Sequence, residues 1–166
     1  MGKGPQVRWW IDQMLRRGRS ADERAKVRRI ALVVDDEEAI VRFVERVLTE
    51  AGFQTVSARD GVEAVAVVAT MDRVDLLVTD LMMPNMTGDE LARRVRALEP
   101  DLPVLYLTGF SDRLFADRTQ LWEREAFVDK PCTARGLLQA VSLVMPEPVA
   151  GCFGQPSWEP RVATAS

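Results

Sequence analysis

The sequence predicts an α/β fold: a doubly wound, five-stranded parallel sheet flanked by five helices, preceded by a short amphipathic helix. Two observations carry this prediction. Between Ile30 and Met145, short apolar runs alternate with stretches of helical periodicity, the pattern left by strands joined through crossover helices. About half of the 166 residues are apolar, enough to bury one domain's core.

"IALVV" (30–34) is the first strand. Ile40, Phe43, Val44, Val47 and Leu48 then recur at helical spacing as a buried stripe that stops at Gly52. "FQTVS" (53–57) is a weaker second strand, followed by a helix from about Gly61 to Thr70. "DLLVTD" (75–80) is the third strand, and "LMMPNMTG" after it is loop by its Pro, Asn and Gly content. A helix from Asp89 to Leu98 leads through "PDLP" to the fourth strand, "VLYLT" (104–108). A helix around Asp112 to Trp122 precedes the fifth strand, "AFVD" (126–129), and "KP". Thr133 then caps a last helix carrying Leu137, Leu138, Val141 and Val144.

The ends differ from this middle. Residues 1–28 form a basic extension in which Val7, Trp10, Ile11, Met14 and Leu15 share one helix face. Residues 29–145 make the domain, and the Pro/Gly/Ser-rich residues 146–166 have no periodicity and are expected to be disordered. Residues 1–30 hold nine basic and three acidic residues, so the rest is strongly acidic within a net charge of −3. No apolar run reaches the length of about 18 residues that a spanning helix needs, nor is there a signal peptide, and a cytoplasmic location is expected. The chain has no histidine, and Cys132 and Cys152 lack metal-like spacing, which disfavours a zinc site or a histidine-based catalytic dyad.

In such a sheet, strand C-termini share one edge, and ligands bind there at the point where strand order reverses. Asp35 and Asp36 end the first strand, Asp80 the third and Thr108 the fourth, and Lys130 follows the fifth. Singly, each has a bland explanation: the first two as helix caps, Asp80 as a turn residue, Thr108 as a strand end, Lys130 as a solvated lysine. Together they put three carboxylates, a hydroxyl and an ammonium in one crevice. Clustered carboxylates repel unless a cation joins them, and oxygen donors suit a hard divalent ion such as Mg²⁺. With the ion, a lysine and a hydroxyl neutralising phosphoryl oxygens, one carboxylate can act as nucleophile and form an aspartyl phosphate.

With these residues the sequence resembles the receiver domain of two-component response regulators. The motifs are "LVVDDE" (32–37), "LLVTDLMMPNMTGDEL" (76–91), "VLYLTG" (104–109) and "FVDKP" (127–131). The resemblance covers roughly residues 29–145 and implies a flavodoxin-like sheet of order 2-1-3-4-5. It also implies that Asp80 accepts the phosphoryl group, that Asp36, Asp80 and the Met82 carbonyl bind Mg²⁺ with Asp35 acting mainly through water, and that Thr108 and Lys130 bind phosphoryl oxygens. Thr108 and Phe127 would be the switch, Thr108 moving toward the phosphoryl group and Phe127 turning inward behind it. The alternative for Phe127 is a permanent core aromatic. The Lys130–Pro131 bond resembles the family's cis bond.

Two departures stand out. The stretch "SDRLFADRTQLWEREAF" lacks the family's small-residue signature and carries Trp122, which either marks a partner surface or packs as core. Met82 and Phe110 are apolar at positions where many receivers hold polar groups that orient water, so slow self-dephosphorylation is expected.

The expected partners are a histidine kinase or histidine phosphotransfer protein upstream, and downstream a protein bound at the face made by the helix near 112–122, the fifth strand and the last helix. Output would be in trans, without an enzyme domain of its own. The basic helix is open to partner docking, folding back on the acidic domain, dimer formation or contact with an anionic membrane, whereas specific nucleic-acid recognition is not expected. Competing readings are a phosphorylation-independent scaffold, or a phosphate sink or relay intermediate of a hybrid kinase system, whose receivers "LARRVRALEPDLPVLYLTGFSD" resembles. A carboxylate-nucleophile hydrolase is disfavoured, since Met82 stands where such enzymes place a second acid.

Overall fold

The computed structural model describes residues 28–109 and 123–145. The strands are β1 (Ile30–Val34), β2 (Gln54–Ala58), β3 (Leu76–Asp80), β4 (Val104–Thr108) and β5 (Glu125–Asp129), and the helices are α1 (Glu38–Glu50), α2 (Gly61–Thr70), α3 (Gly88–Arg96) and α4 (Ala134–Val144). The basic helix, the tail, and the expected helix near 112–122 with Phe110 and Trp122 lie outside the described residues.

All four strand pairings are parallel and the order is β2-β1-β3-β4-β5. β3 and β4 are buried at every position, as strands covered on both faces must be, which is why their sequences are continuous apolar runs. Side chains alternate between two cores. Ala31 and Val33 of β1 pack with Val44 and Leu48 of α1 and Leu137 and Val141 of α4. Leu32 and Val34 point the other way, toward Ala64 and Val68 of α2 and Leu91 and Val95 of α3.

Local chemistry sets the boundaries. Gly52, just past α1, takes φ 93°, which a side chain would resist. Asp60 caps α2 by accepting from the Glu63 amide at 2.8 Å, while Glu63 Oε2 reaches back past the cap to accept from the Arg59 amide at 2.7 Å. Thr133 caps α4 through the Gly136 amide at 3.1 Å, as its position before the helix predicts.

Some expectations shift. β2 starts one residue later than expected, leaving Phe53 as a buried plug ahead of the strand. β3 begins at Leu76; Asp75 just ahead of it donates its amide to the Ile30 carbonyl at 2.8 Å, and its side chain accepts from the Ile30 amide at 2.7 Å. α3 runs from Gly88 to Arg96 rather than from 89 to 98, and β5 begins one residue earlier, at Glu125. The buried stripe of α1 is Val41, Val44, Val47 and Leu48, with Ile40 and Phe43 only partly covered. In α4, Ala140 is buried and Leu138 partly so.

Candidate functional site

The sheet delivers the predicted polar residues to its C-terminal edge. Asp35 and Asp36 follow β1, Asp80 and Thr108 are the last residues of β3 and β4, and Lys130 follows β5. Asp80 pairs in register with Leu107, so Thr108 lies one step beyond it on the neighbouring strand. The Lys130 amide donates to the Thr108 carbonyl at 3.1 Å, extending the β4–β5 pairing to the lysine. The Lys130–Pro131 bond is cis.

The bland reading of the aspartate pair fails on geometry. The N-cap of α1 is Glu37, which makes no side-chain cap bond. Asp35 is 1% exposed and its Oδ1 accepts from the Glu37 amide at 2.9 Å, a turn ahead of the helix. Its Oδ2 is buried, and its partner is the Lys130 ammonium, 2.7 Å away. Asp36 is exposed beside it.

Lys130 joins the strand ends electrostatically. Its Nζ lies 2.7 Å from Asp35 Oδ2, 3.2 Å from Glu37 Oε1 and 3.5 Å from Asp80 Oδ2. Burial pushes the Asp35 carboxyl above its ordinary range, against the pull of the Lys130 hydrogen bond and the Glu37 amide. Burial likewise pushes Asp80 up and the Asp35 charge adds to it, while Lys130 and the amides of Met82 and Leu81 pull it down. Burial alone would lower Lys130, yet its bond to Asp35 and the charges of Asp35, Asp80 and Glu37 outweigh it, so the lysine is held above its usual value and stays an ammonium.

Asp35, Asp36 and Asp80 place carboxylate oxygens within 4.8 Å of one another, a group that could hold a metal ion. One lysine does not neutralise these acids. The all-oxygen donor set fits a hard divalent cation. A cleft of about 520 Å³, lined in part by Asp36, Arg42, Ser57 and Arg59, opens beside the cluster.

The remaining predicted residues lie nearby in the fold. Thr108 is fully buried. The Met82 side chain is 42% exposed, so its carbonyl rather than its thioether is the group of interest for a hard cation. Phe127 is half-buried, opposite Tyr106 in register, and packs on the α2/α3-side core. Sequence reasoning missed Glu37 as a partner of Lys130, though it stands directly after the aspartate pair. It also missed Gly88: a Cβ there would fall 2.2 Å from the Asp80 carbonyl oxygen, so the start of α3 approaches the site's backbone as only glycine allows.

A family model, the response regulator receiver domain, matches residues 31–142. The chain belongs to that family. This receiver domain is 46% identical over 78 residues to the response regulator MprA of Mycobacterium avium, a stretch that is 47% of this chain and 34% of that protein. The chain thus spans about a third of the length of the curated relatives it matches. Among solved structures, the receiver resembles a response regulator receiver protein from Sinorhizobium medicae, with TM-score 0.63 and 27% identity over 70% of this chain and 94% of that one. It also resembles the chemotaxis response regulator CheY4 of Vibrio cholerae, with TM-score 0.63 and 30% identity over 72% of this chain and all of that one. Receiver domains are signalling modules of two-component systems, and the sheet order here is the one the family resemblance implies. No described helix is long and apolar enough to cross a membrane.

Proposed function

We propose that this receiver is a phosphorylation-dependent switch in which Asp80 accepts a phosphoryl group from a histidine kinase or a histidine phosphotransfer protein. The observation that supports it most is the meeting of Asp35, Asp36 and Asp80 with one lysine at the sheet's C-terminal edge. A carboxylate oxygen of Asp80 attacks phosphorus, and the phosphorus–nitrogen bond to the donor imidazole breaks with its electron pair staying on nitrogen. Mg²⁺, when bound, would supply positive charge to the phosphoryl oxygens. Asp36, Asp80 and the Met82 carbonyl are its proposed ligands, with Asp35 acting through water. Lys130 pairs with a phosphoryl oxygen, Thr108 donates a hydrogen bond to another, and Phe127 follows Thr108 inward.

The output is a protein contact at the face that includes β5 and α4. The domain spans residues 29–145, with the basic segment 1–28 and the segment 146–166 as extensions. Because Met82 presents a thioether near the site instead of a group that orients water, the phosphoryl group is long-lived.

The test is intact mass with Mg²⁺ and a small phosphodonor, followed after donor removal. Wild type gains one phosphoryl group that decays slowly, and Asp80→Asn gains none. Equal labelling of both proteins removes Asp80 as acceptor, and no labelling of wild type by any donor or cognate kinase favours a phosphorylation-independent scaffold.

A further inference from the structure

Lys130 is shared among three acids, and the third, Glu37, is not required by the phosphoryl chemistry. Its distance to Lys130 Nζ, 3.2 Å, is shorter than that of Asp80, 3.5 Å. The three acids are held differently. Asp35 and Asp80 are buried, and backbone amides hydrogen-bond both carboxylates. Glu37 has a fixed backbone, since its carbonyl accepts from the Ile40 and Val41 amides at 2.9 and 3.1 Å, but its side chain is 63% exposed. It is a solvated arm on a rigid base. Its amide meanwhile holds Asp35 Oδ1 at 2.9 Å, so one residue touches both members of the tightest pair in the cluster.

We infer that Glu37 is a positioning residue that parks the Lys130 ammonium away from Asp80 in the resting state and yields it when Asp80 acquires a phosphoryl group. The inference rests on the proposal that Asp80 is phosphorylated. A phosphoryl group on Asp80 adds negative charge beside the lysine, which must turn toward it. Of the three acids, Glu37 is released most easily, because water takes over its charge at once, whereas Asp35 would be left buried and unpaired. Glu37 thereby slows loading, because the lysine is drawn off the oxygen that attacks. The effect is modest, since the Glu37 end of the pair is solvated: the spread measured for exposed ion pairs corresponds to about two- to fivefold in rate.

The test compares initial phosphorylation rates of wild type, Glu37→Gln and Glu37→Asp by intact mass, at saturating Mg²⁺ with acetyl phosphate as donor. Glu37→Gln removes the charge and keeps the shape; Glu37→Asp keeps the charge on a shorter arm that does not reach the lysine. Parking predicts that both variants load faster, by about two- to fivefold. If only Glu37→Gln gains, the carboxylate acts by repelling the anionic donor, and the inference is overturned. Unchanged rates in both variants overturn it as well, while wild-type labelling leaves the switch reading standing. Absence of labelling in wild type takes down the switch reading and this inference together.

Discussion

Arg96, the last residue of α3, and Glu125, the first of β5, form a buried ion pair at 2.7 Å, with the Glu125 side chain only 1% exposed. The guanidinium also donates twice to the Leu102 carbonyl, at 3.1 and 3.0 Å, and the Tyr106 hydroxyl lies 3.2 Å from the same Glu125 oxygen. The pair ties the start of β5, two residues before Phe127, to the helix that follows β3. Glu125→Ala leaves the cation without its carboxylate and should destabilise the domain by about 3 kcal/mol. Tyr106→Phe keeps the ring and loses only the hydroxyl's bond, for about 1 kcal/mol. Urea unfolding of the two variants checks the order; equal losses would mean that the bond from the Tyr106 hydroxyl, rather than the pairing with Arg96, is what the carboxylate contributes.

Gly88→Ala should damage the site more than its size suggests. The new Cβ would meet the Asp80 carbonyl oxygen at 2.2 Å and Thr79 Cγ2 at 3.1 Å. The first is backbone and has no rotamer to escape into, so α3 or the end of β3 must move, at about 1–3 kcal/mol. Urea midpoints measure the stability loss. Labelling of Asp80 at low temperature, where the variant remains folded, should still fall below wild type.

Stability should depend on pH through the buried carboxylates. Burial raises Asp80 and Asp35 above the ordinary value of 3.8, so the folded protein binds more protons than the unfolded chain between that value and the raised one. Stability therefore falls as pH rises through this window, and the cost of the charge persists above it. Lys130 is raised from 10.5, so its contribution is complete below that value and is lost only on further alkalinisation. Without divalent ions, Asp80→Asn should be more stable than wild type at neutral pH, with an advantage that shrinks as pH approaches 3.8. Chemical unfolding of both proteins across this range reads the difference, and an advantage independent of pH would place its origin outside the carboxylate's charge.

Mg²⁺ should reverse that cost. An ion that binds only the folded state adds about 2.7 kcal/mol at a hundredfold excess over its Kd. Wild type should gain this on titration and lose it on chelation, while Asp36→Asn, lacking one proposed ligand, should need far more ion for the same gain. Thermal unfolding against Mg²⁺ concentration measures both curves. Coincident curves would remove Asp36 from the ligand set.

Much of the edge was legible because its ingredients are local. An apolar run that stops on a polar residue marks a strand end, and Asp80, Thr108 and Lys130 were each placed that way. The strand order was available only through the family resemblance, since no local signal says which runs lie side by side. Val41 escaped the predicted stripe because α1 is covered by both the sheet and α4, which widens its buried face beyond a single row. Glu37 escaped because an exposed acid at a helix start is unremarkable, and its meaning depends on a lysine 93 residues away. Arg96 and Glu125 likewise carry no local sign that the fold brings them together as a buried pair.

The strand-end origin of the crevice makes competence a property of the finished molecule. Closing contacts across spans such as that between Glu37 and Lys130 requires every intervening strand to have found its neighbour. A half-assembled chain presents five unrelated polar residues and no nucleophile of special character. Any chemistry at this edge therefore doubles as a quality check on folding, admitting to signalling only those copies whose sheet is complete.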